Sequence, residues 1–248
     1  MRAESRQSGL TLTEMTVVIA IVAMLAVFGL PAVRALLSSF ETQGGARAMI
    51  SAALASARAI AAKERHYAGV RFQKAYDPND PDPLNAAQYM VFIVHDPEGT
   101  RAAPGFRAVE GLQPIRLPDS VGVMDLRTGS TEINSNDDIN EEEELTDTTT
   151  FSIVFSPSGK LVIHEVRAMS NTSRDDIFNT VFYIKNGFGM FIPDADADKE
   201  PSRNSFIIYD RVRFRQVYEA GRAYSQYLED LADSMIHINP YTGTMINR

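Results

Sequence analysis

The 248-residue chain has no cysteine and only four histidines. Without cysteine it can form no disulfide framework, Cys-ligated zinc, iron–sulfur cluster or thiol nucleophile. That absence does not identify a compartment, because oxidising compartments also hold cysteine-free proteins. His66, His95, His164 and His237 show neither H-x-H nor H-x-x-x-H spacing, so no metal centre is read from them. There is no G-x-S-x-G nucleophile turn and no phosphate-cradling G-x-x-x-x-G-K. These absences predict a chain that is not an enzyme and carries no cofactor. Positive charge is also short, 24 Lys+Arg against 32 Asp+Glu for a net of −8, which argues against a general polyanion binder. What is present is apolar: 44% hydrophobic residues, too many for a disordered chain. The length suits one large or two small domains.

The average charge conceals two unlike parts. Residues 1–74 hold nine Lys/Arg and four Asp/Glu, a net of +5, whereas residues 75–248 hold fifteen against twenty-eight, a net of −13. The basic part contains the most apolar stretch of the chain. Between Glu14 and Arg34 lie nineteen consecutive uncharged residues, MTVVIAIVAMLAVFGLPAV. As a helix they would rise about 28 Å, close to the ~30 Å hydrocarbon thickness of a bilayer. Apolarity on every face over that length predicts a membrane-embedded helix. Arg2 and Arg6 ahead of it predict a cytoplasmic N-terminus, with the remainder exported. Gly9 precedes the apolar run, so a cut there leaves that run on the mature chain, unlike an ordinary secretory signal.

Glu14 is the one charge at the head of this run. Thr11-Leu12-Thr13-Glu14 fits a capping box, in which the glutamate caps the first helical amide. The alternative is a membrane carboxylate that needs a partner, since an unneutralised charge there costs roughly 2.5–3.5 kcal/mol on insertion scales.

The run G-L-T-L-T-E-M-T-V-V-I-A-I-V-A-M-L-A-V-F-G-L-P, from Gly9 to Pro31, resembles the N-terminal motif of type IV prepilins and type II secretion pseudopilins. Gly9, Leu10, Glu14 and Pro31 fall on that family's glycine, first mature residue, fifth-residue glutamate and proline. Leu10 replaces the most frequent phenylalanine, and Thr16 is more polar than usual. The resemblance implies that prepilin peptidase cuts between Gly9 and Leu10, and that the new amine of Leu10 is methylated. It also implies that Glu14 pairs with the Leu10 amine of a neighbouring subunit during assembly, and that Pro31 lets the helix bend. The partners it implies are other pilin or pseudopilin subunits, prepilin peptidase, an inner-membrane assembly platform and membrane lipid. The protein would be a single-pass protein of the inner membrane with its C-terminal domain periplasmic, passing into a pilus or pseudopilus after assembly.

From Arg34 to His66 the pattern is amphipathic. Val33, Leu36, Leu37 and Phe40, then Ile50, Ala53, Leu54, Ala57, Ile60 and Ala61, recur at helical spacing, with Gly44-Gly45 as a candidate joint. Ser56-Ala-Arg-Ala-Ile-Ala-Ala-Lys63 running into Tyr67–Phe72 is similar to the GspH/FimT group of minor pseudopilins. So are the Phe155-Ser-Pro-Ser-Gly-Lys160 hairpin and Asn239–Ile246 as a closing strand. The fold expected is therefore α+β. A long N-terminal membrane-spanning helix would pack on a C-terminal antiparallel β-sheet domain of one or two sheets. In segments this reads as a cleaved leader 1–9, a membrane and assembly half-helix 10–35, an amphipathic half 36–66 and an exported β-rich domain 67–248. A C-terminal helix at about 215–235 is expected from Val217, Gly221, Tyr224, Leu228, Leu231 and Met235.

Within that domain, Gln88–His95, Phe151–Phe155, Lys160–Arg167, Thr180–Lys185, Gly189–Ile192 and Ser205–Tyr209 read as strands, with Asn186-Gly187 as a hairpin turn. Tyr76–Pro83 reads as a turn-rich loop, and the acidic run Asp137–Asp147 as a solvated one. Asp194-Ala-Asp-Ala-Asp-Lys-Glu200 alternates carboxylates like the start of a calcium loop. It has Lys199 where an EF-hand needs glycine, so a solvated acidic turn is preferred to a looser calcium site and no metal is assigned. Arg211, Arg213, Arg215 and Arg222, with Tyr218, Tyr224 and Tyr227, form the one basic-aromatic cluster of the acidic part. They read as the exposed face of a strand beside packed tyrosines. The surrounding −13 makes nucleic acid an unfavoured partner. The readings kept beside the pilin are a DNA-binding minor pilin of FimT type and a plain membrane-anchored binding module.

Overall fold

A computed structural model describes residues 13, 15–19, 21, 24 and 43–247, apart from 98–104, 129–130, 134–138, 170–176, 181–183, 187–189 and 195–198. The chain divides into two units, 1–40 and 41–248. In the first, residues 13, 15–19, 21 and 24 are helical. Gly9, Leu10, Glu14 and Pro31 lie outside the described residues.

The expected long membrane-spanning helix is corrected by this structure. Among the described residues no helix is long and apolar enough to cross a membrane. The longest is α1, Gln43–Glu64, and its sequence shows why it belongs to a protein interior. Ile50, Ala53, Leu54, Ala57 and Ala61 are buried along one face, whereas Arg47, Lys63 and Glu64 lie off it. Gly44 and Gly45 sit inside its first turn. The helix ends where Arg65 adopts a left-handed backbone, φ +57°, which cannot continue an α-helix. The fold that stands is α+β, with mostly antiparallel sheets.

The strands follow in order: β1 (Ala68–Lys74), β2 (Gln88–Asp96), β3 (Gly105–Ala108), β4 (Ile115–Arg116), β5 (Val121–Met124), β6 (Arg127–Thr128) and β7 (Thr131–Glu132). Helix α2 (Glu142–Thr149) precedes β8 (Phe151–Phe155), β9 (Leu161–Val162), β10 (Glu165–Val166), β11 (Glu200–Pro201) and β12 (Ser205–Asp210). Helix α3 (Arg211–Glu219), a π-helical turn (Tyr224–Leu228) and α4 (Glu229–Ala232) lead to β13 (Ile236–Ile238) and β14 (Met245–Asn247). The main sheet has the order β3-β2-β1-β8-β9, with β4 also on β2, and a second runs β14-β13-β12-β5.

The central strands β1, β2 and β8 are buried at nearly every position, which requires cover on both faces of the sheet. One face carries Val70, Phe72, Met90, Ile153 and Phe155 against α1. The other carries Val91, Ile93 and Val154 against Phe106, Val166, Phe178 and Phe191. Each such side chain contributes about 1.5–3 kcal/mol on full burial. Gly69 allows β1 and β8 to meet: a Cβ there would stand 2.2 Å from the carbonyl oxygen of Ile153. The Pro157–Gly159 turn joins β8 to β9, with Gly159 at φ +76° and its amide bonded to the Ser156 carbonyl at 2.8 Å.

Several local expectations change. The acidic run 137–147 is not all loop, because α2 begins at Glu142. Glu144 accepts hydrogen bonds from the amides of Glu141 and Asn140 at 2.8 and 3.0 Å. Carboxylates in a first turn also favour the positive helix end. Asp210 ends β12 and caps α3, accepting from the amides of Val212 and Arg213, so Arg211–Arg215 are helical and not a strand face. The C-terminal helix is broken at Gly221, φ +64°. Lys160–Arg167 splits into β9 and β10, which pair with different partners. Ile184 and Lys185 are helical where a strand is expected, and Asn186 follows them in a turn; Gly187 lies outside the described residues.

Candidate functional site

Alternation along β1 puts polar chemistry under the main sheet. Ala68, Val70 and Phe72 belong to the core that includes α1, so Arg71 and Gln73 face the other way. Both are buried, and both reach the segment that starts at Ile192. Arg71 Nη2 bonds Asp194 Oδ1 at 2.5 Å, and Arg71 Nε donates to Gln73 Oε1 at 2.9 Å. Gln73 Nε2 donates in turn to the Ile192 carbonyl at 2.8 Å, while Asp194 Oδ2 accepts from the Ala168 amide at 2.7 Å. With Arg71 buried and Asp194 partly so, the ion pair is tolerable because its remaining donors and acceptors are largely satisfied by this network.

Beside this anchor lies a cleft of about 890 Å³. Its walls are the end of β1, the loop after it, α2 and residues 192–194 and 199–200. Lys74 stands in it and donates to the Pro83 carbonyl. Burial, reinforced by Arg211, lowers the Lys74 pKa to about 7. Arg211 Nη2 reaches the carbonyls of Leu84, Asn85 and Ala86 at 3.1, 3.1 and 2.8 Å. Two cations thus hold the turn-rich loop in place. On the opposite wall, burial raises Glu200 to about 7 although Arg203, 3.7 Å away, pulls the other way. The buried Arg203 also bonds Asp125 at 2.5 Å; there too burial outweighs the guanidinium, and Asp125 rises to about 6.

Chemically the cleft is a polar recess with an amine and a carboxyl that titrate near neutrality. Among the described residues no serine or histidine lines it, and the Thr146 hydroxyl donates to the Glu142 carbonyl.

The features singled out in the sequence fare differently. Asp194 is an ion-pair anchor, and residues 195–198 of the acidic turn lie outside the described residues. No group of three or more His, Asp or Glu that could hold a metal ion occurs among the described residues. The basic-aromatic cluster divides: Arg213, Arg215 and Arg222 are exposed, whereas Arg211 serves the loop carbonyls and Tyr227 is buried. Arg213 lies 4.7 Å over the Tyr227 ring, and the Tyr227 hydroxyl accepts from the Asp210 amide at 2.7 Å. The Arg71–Asp194 and Arg203–Asp125 pairs were missed. Their signal, a lone arginine in an apolar strand at Arg71, is visible in the sequence but does not name the partner. Two histidines that looked scattered, His95 and His164, come together against Tyr67, whereas His66 is exposed and His237 stands on β13.

No protein-family model matches the chain, and no match was found among curated proteins or solved structures.

Proposed function

We propose that this chain is a minor pilin or pseudopilin, a structural subunit of a type II secretion pseudopilus or type IV pilus. The observation that carries the reading is the run Gly9–Pro31, where a single carboxylate, Glu14, heads nineteen uncharged residues. The precursor is held in the inner membrane by that apolar segment and cut after Gly9 by prepilin peptidase, and Leu10 is methylated. Its new amine supplies the charge that Glu14 lacks. Two opposite charges in apolar surroundings satisfy each other, whereas either alone is costly. Pairing Glu14 of an incoming subunit with the Leu10 amine of its neighbour therefore sets the stagger between subunits and draws the new one toward the filament. Pro31 lets the segment bend as it packs. The step from +5 to −13 at residue 74 supports a division into a membrane-and-assembly part and an exported body. With no cysteine, that body coheres without disulfides.

Glu14→Ala is the direct test of the pairing. The variant should be processed and membrane-held as before, while its incorporation into filaments, read by crosslinking, falls at least about tenfold. That factor corresponds to a loss of only ~1.4 kcal/mol. Incorporation equal to that of the unmodified chain would sink the pairing.

A further inference from the structure

We propose that His95 and His164 bind a divalent transition-metal ion of the zinc class, placed to staple the crossing from β9 to β10 onto the ends of β1 and β2. The sequence separates the two histidines by nearly seventy positions, and the fold reunites them. His95 stands near the end of β2, its amide bonded at 2.8 Å to the carbonyl of Tyr67, one residue before β1. His164 occupies the crossing between β9 and β10. Their ring centres are 5.6 Å apart. An ion about 2.1 Å from one nitrogen of each imidazole sets the two ring centres roughly 5–6 Å apart.

Two further observations fit a ligand pair better than a simple aromatic contact. The Nδ1 atom of His164 lies 2.7 Å from the carbonyl oxygen of Glu165. A carbonyl can only accept, so Nδ1 carries the hydrogen and Nε2 keeps a lone pair in the neutral ring. Metal-bound imidazoles are oriented by this kind of outer hydrogen bond. Both rings are also fixed before any ion arrives. His164 packs 4.4 Å from Tyr67 and 5.5 Å from Phe106, and His95 lies 5.2 Å from Phe106.

The surrounding charges leave the pair available. Asp96 lies 3.4 Å from Arg107, and Glu165 lies 3.4 Å from Lys199, so each neighbouring carboxylate has its own cation. Both histidines are only part-buried, so waters can reach the coordination positions that two imidazoles leave open. The strongly acidic body adds a field that attracts divalent cations.

Zinc chloride titrated calorimetrically into the full chain in mild detergent tests the site. Saturable binding of one ion per chain is expected. It should weaken at least about tenfold in His95→Ala and in His164→Ala, since losing a ligand should match or exceed the 10–100-fold usual for an outer partner. His237→Ala should bind like the unmodified chain. Absence of saturable binding, or variants that each bind as tightly as the unmodified chain, would overturn the site. If either variant fails to fold, zinc should shield His95 and His164, but not His237, from diethyl pyrocarbonate in the unmodified chain. Equal modification of all three with and without zinc would overturn it as well.

Discussion

Replacing Arg203 by methionine is expected to destabilise the folded unit by about 3–5 kcal/mol at pH 8, the usual cost of stranding one half of a buried ion pair. The arginine and Asp125 side chains are 8% and 1% exposed, so water cannot take the place of the missing guanidinium. Arg203 also donates to the Pro201 carbonyl, and its amide bonds the Ser152 carbonyl at 2.7 Å. The substitution therefore loosens the approach to β12 as well. The sign of the pH dependence follows from Asp125, whose carboxyl burial has already raised to about 6. A carboxyl raised in the folded state binds more protons folded than unfolded between its two pKa values. Stability consequently falls as pH rises through that window. Without Arg203 the carboxyl titrates higher still, so the loss should be smaller at pH 5 than at pH 8. Pairing the change with Asp125→Leu should recover most of it, because an apolar pair leaves no charge stranded. Urea denaturation of the single and double variants measures both effects. A loss under ~1 kcal/mol at pH 8, or no recovery in the double variant, would mean that the pair is not buried as described.

Phe155→Ala should cost about as much for a different reason. Phe155 is fully buried on β8, in the core between the main sheet and α1. The turn at Gly243 also packs on its ring, where a Cβ at that glycine would come within 3.1 Å. Truncation leaves a hole bordered by three elements that cannot collapse together, for which about 3–5 kcal/mol is typical. In a unit of this size that lowers Tm by about 10 °C, which differential scanning calorimetry would register. A shift of only a degree or two would place α1 elsewhere than on this face.

The same residues show what could be read in advance. The face of α1 was legible because Ile50, Ala53, Leu54, Ala57 and Ala61 repeat at helical spacing and are all buried. The apolar runs that became β2 and β8 were legible for the same reason, as was the Pro157–Gly159 turn. The start of α2 was obscured because its only large apolar residue is Leu145, although the Glu144 cap was there to be seen. Asp210 had the residue type of a helix cap, but alternating arginines suggested a strand more strongly. Thr180–Lys185 has strand composition, but Ile184 and Lys185 at its end are helical. The buried pairs and the histidine cluster were illegible, since they depend on which strands lie side by side. Arg71 meets Asp194 across 123 positions, and no local pattern encodes that meeting. The expected long apolar helix was an extrapolation from hydropathy; the helix that the structure describes is amphipathic and lies on the protein's own sheet.

Mass spectrometry of the mature N-terminus, on protein expressed together with a prepilin peptidase, tests the central claim most directly. The pilin reading requires a chain that begins at Leu10 with a methylated α-amine, without residues 1–9. An intact Met1, with no cut after Gly9, would contradict it and leave a membrane-anchored binding module in its place.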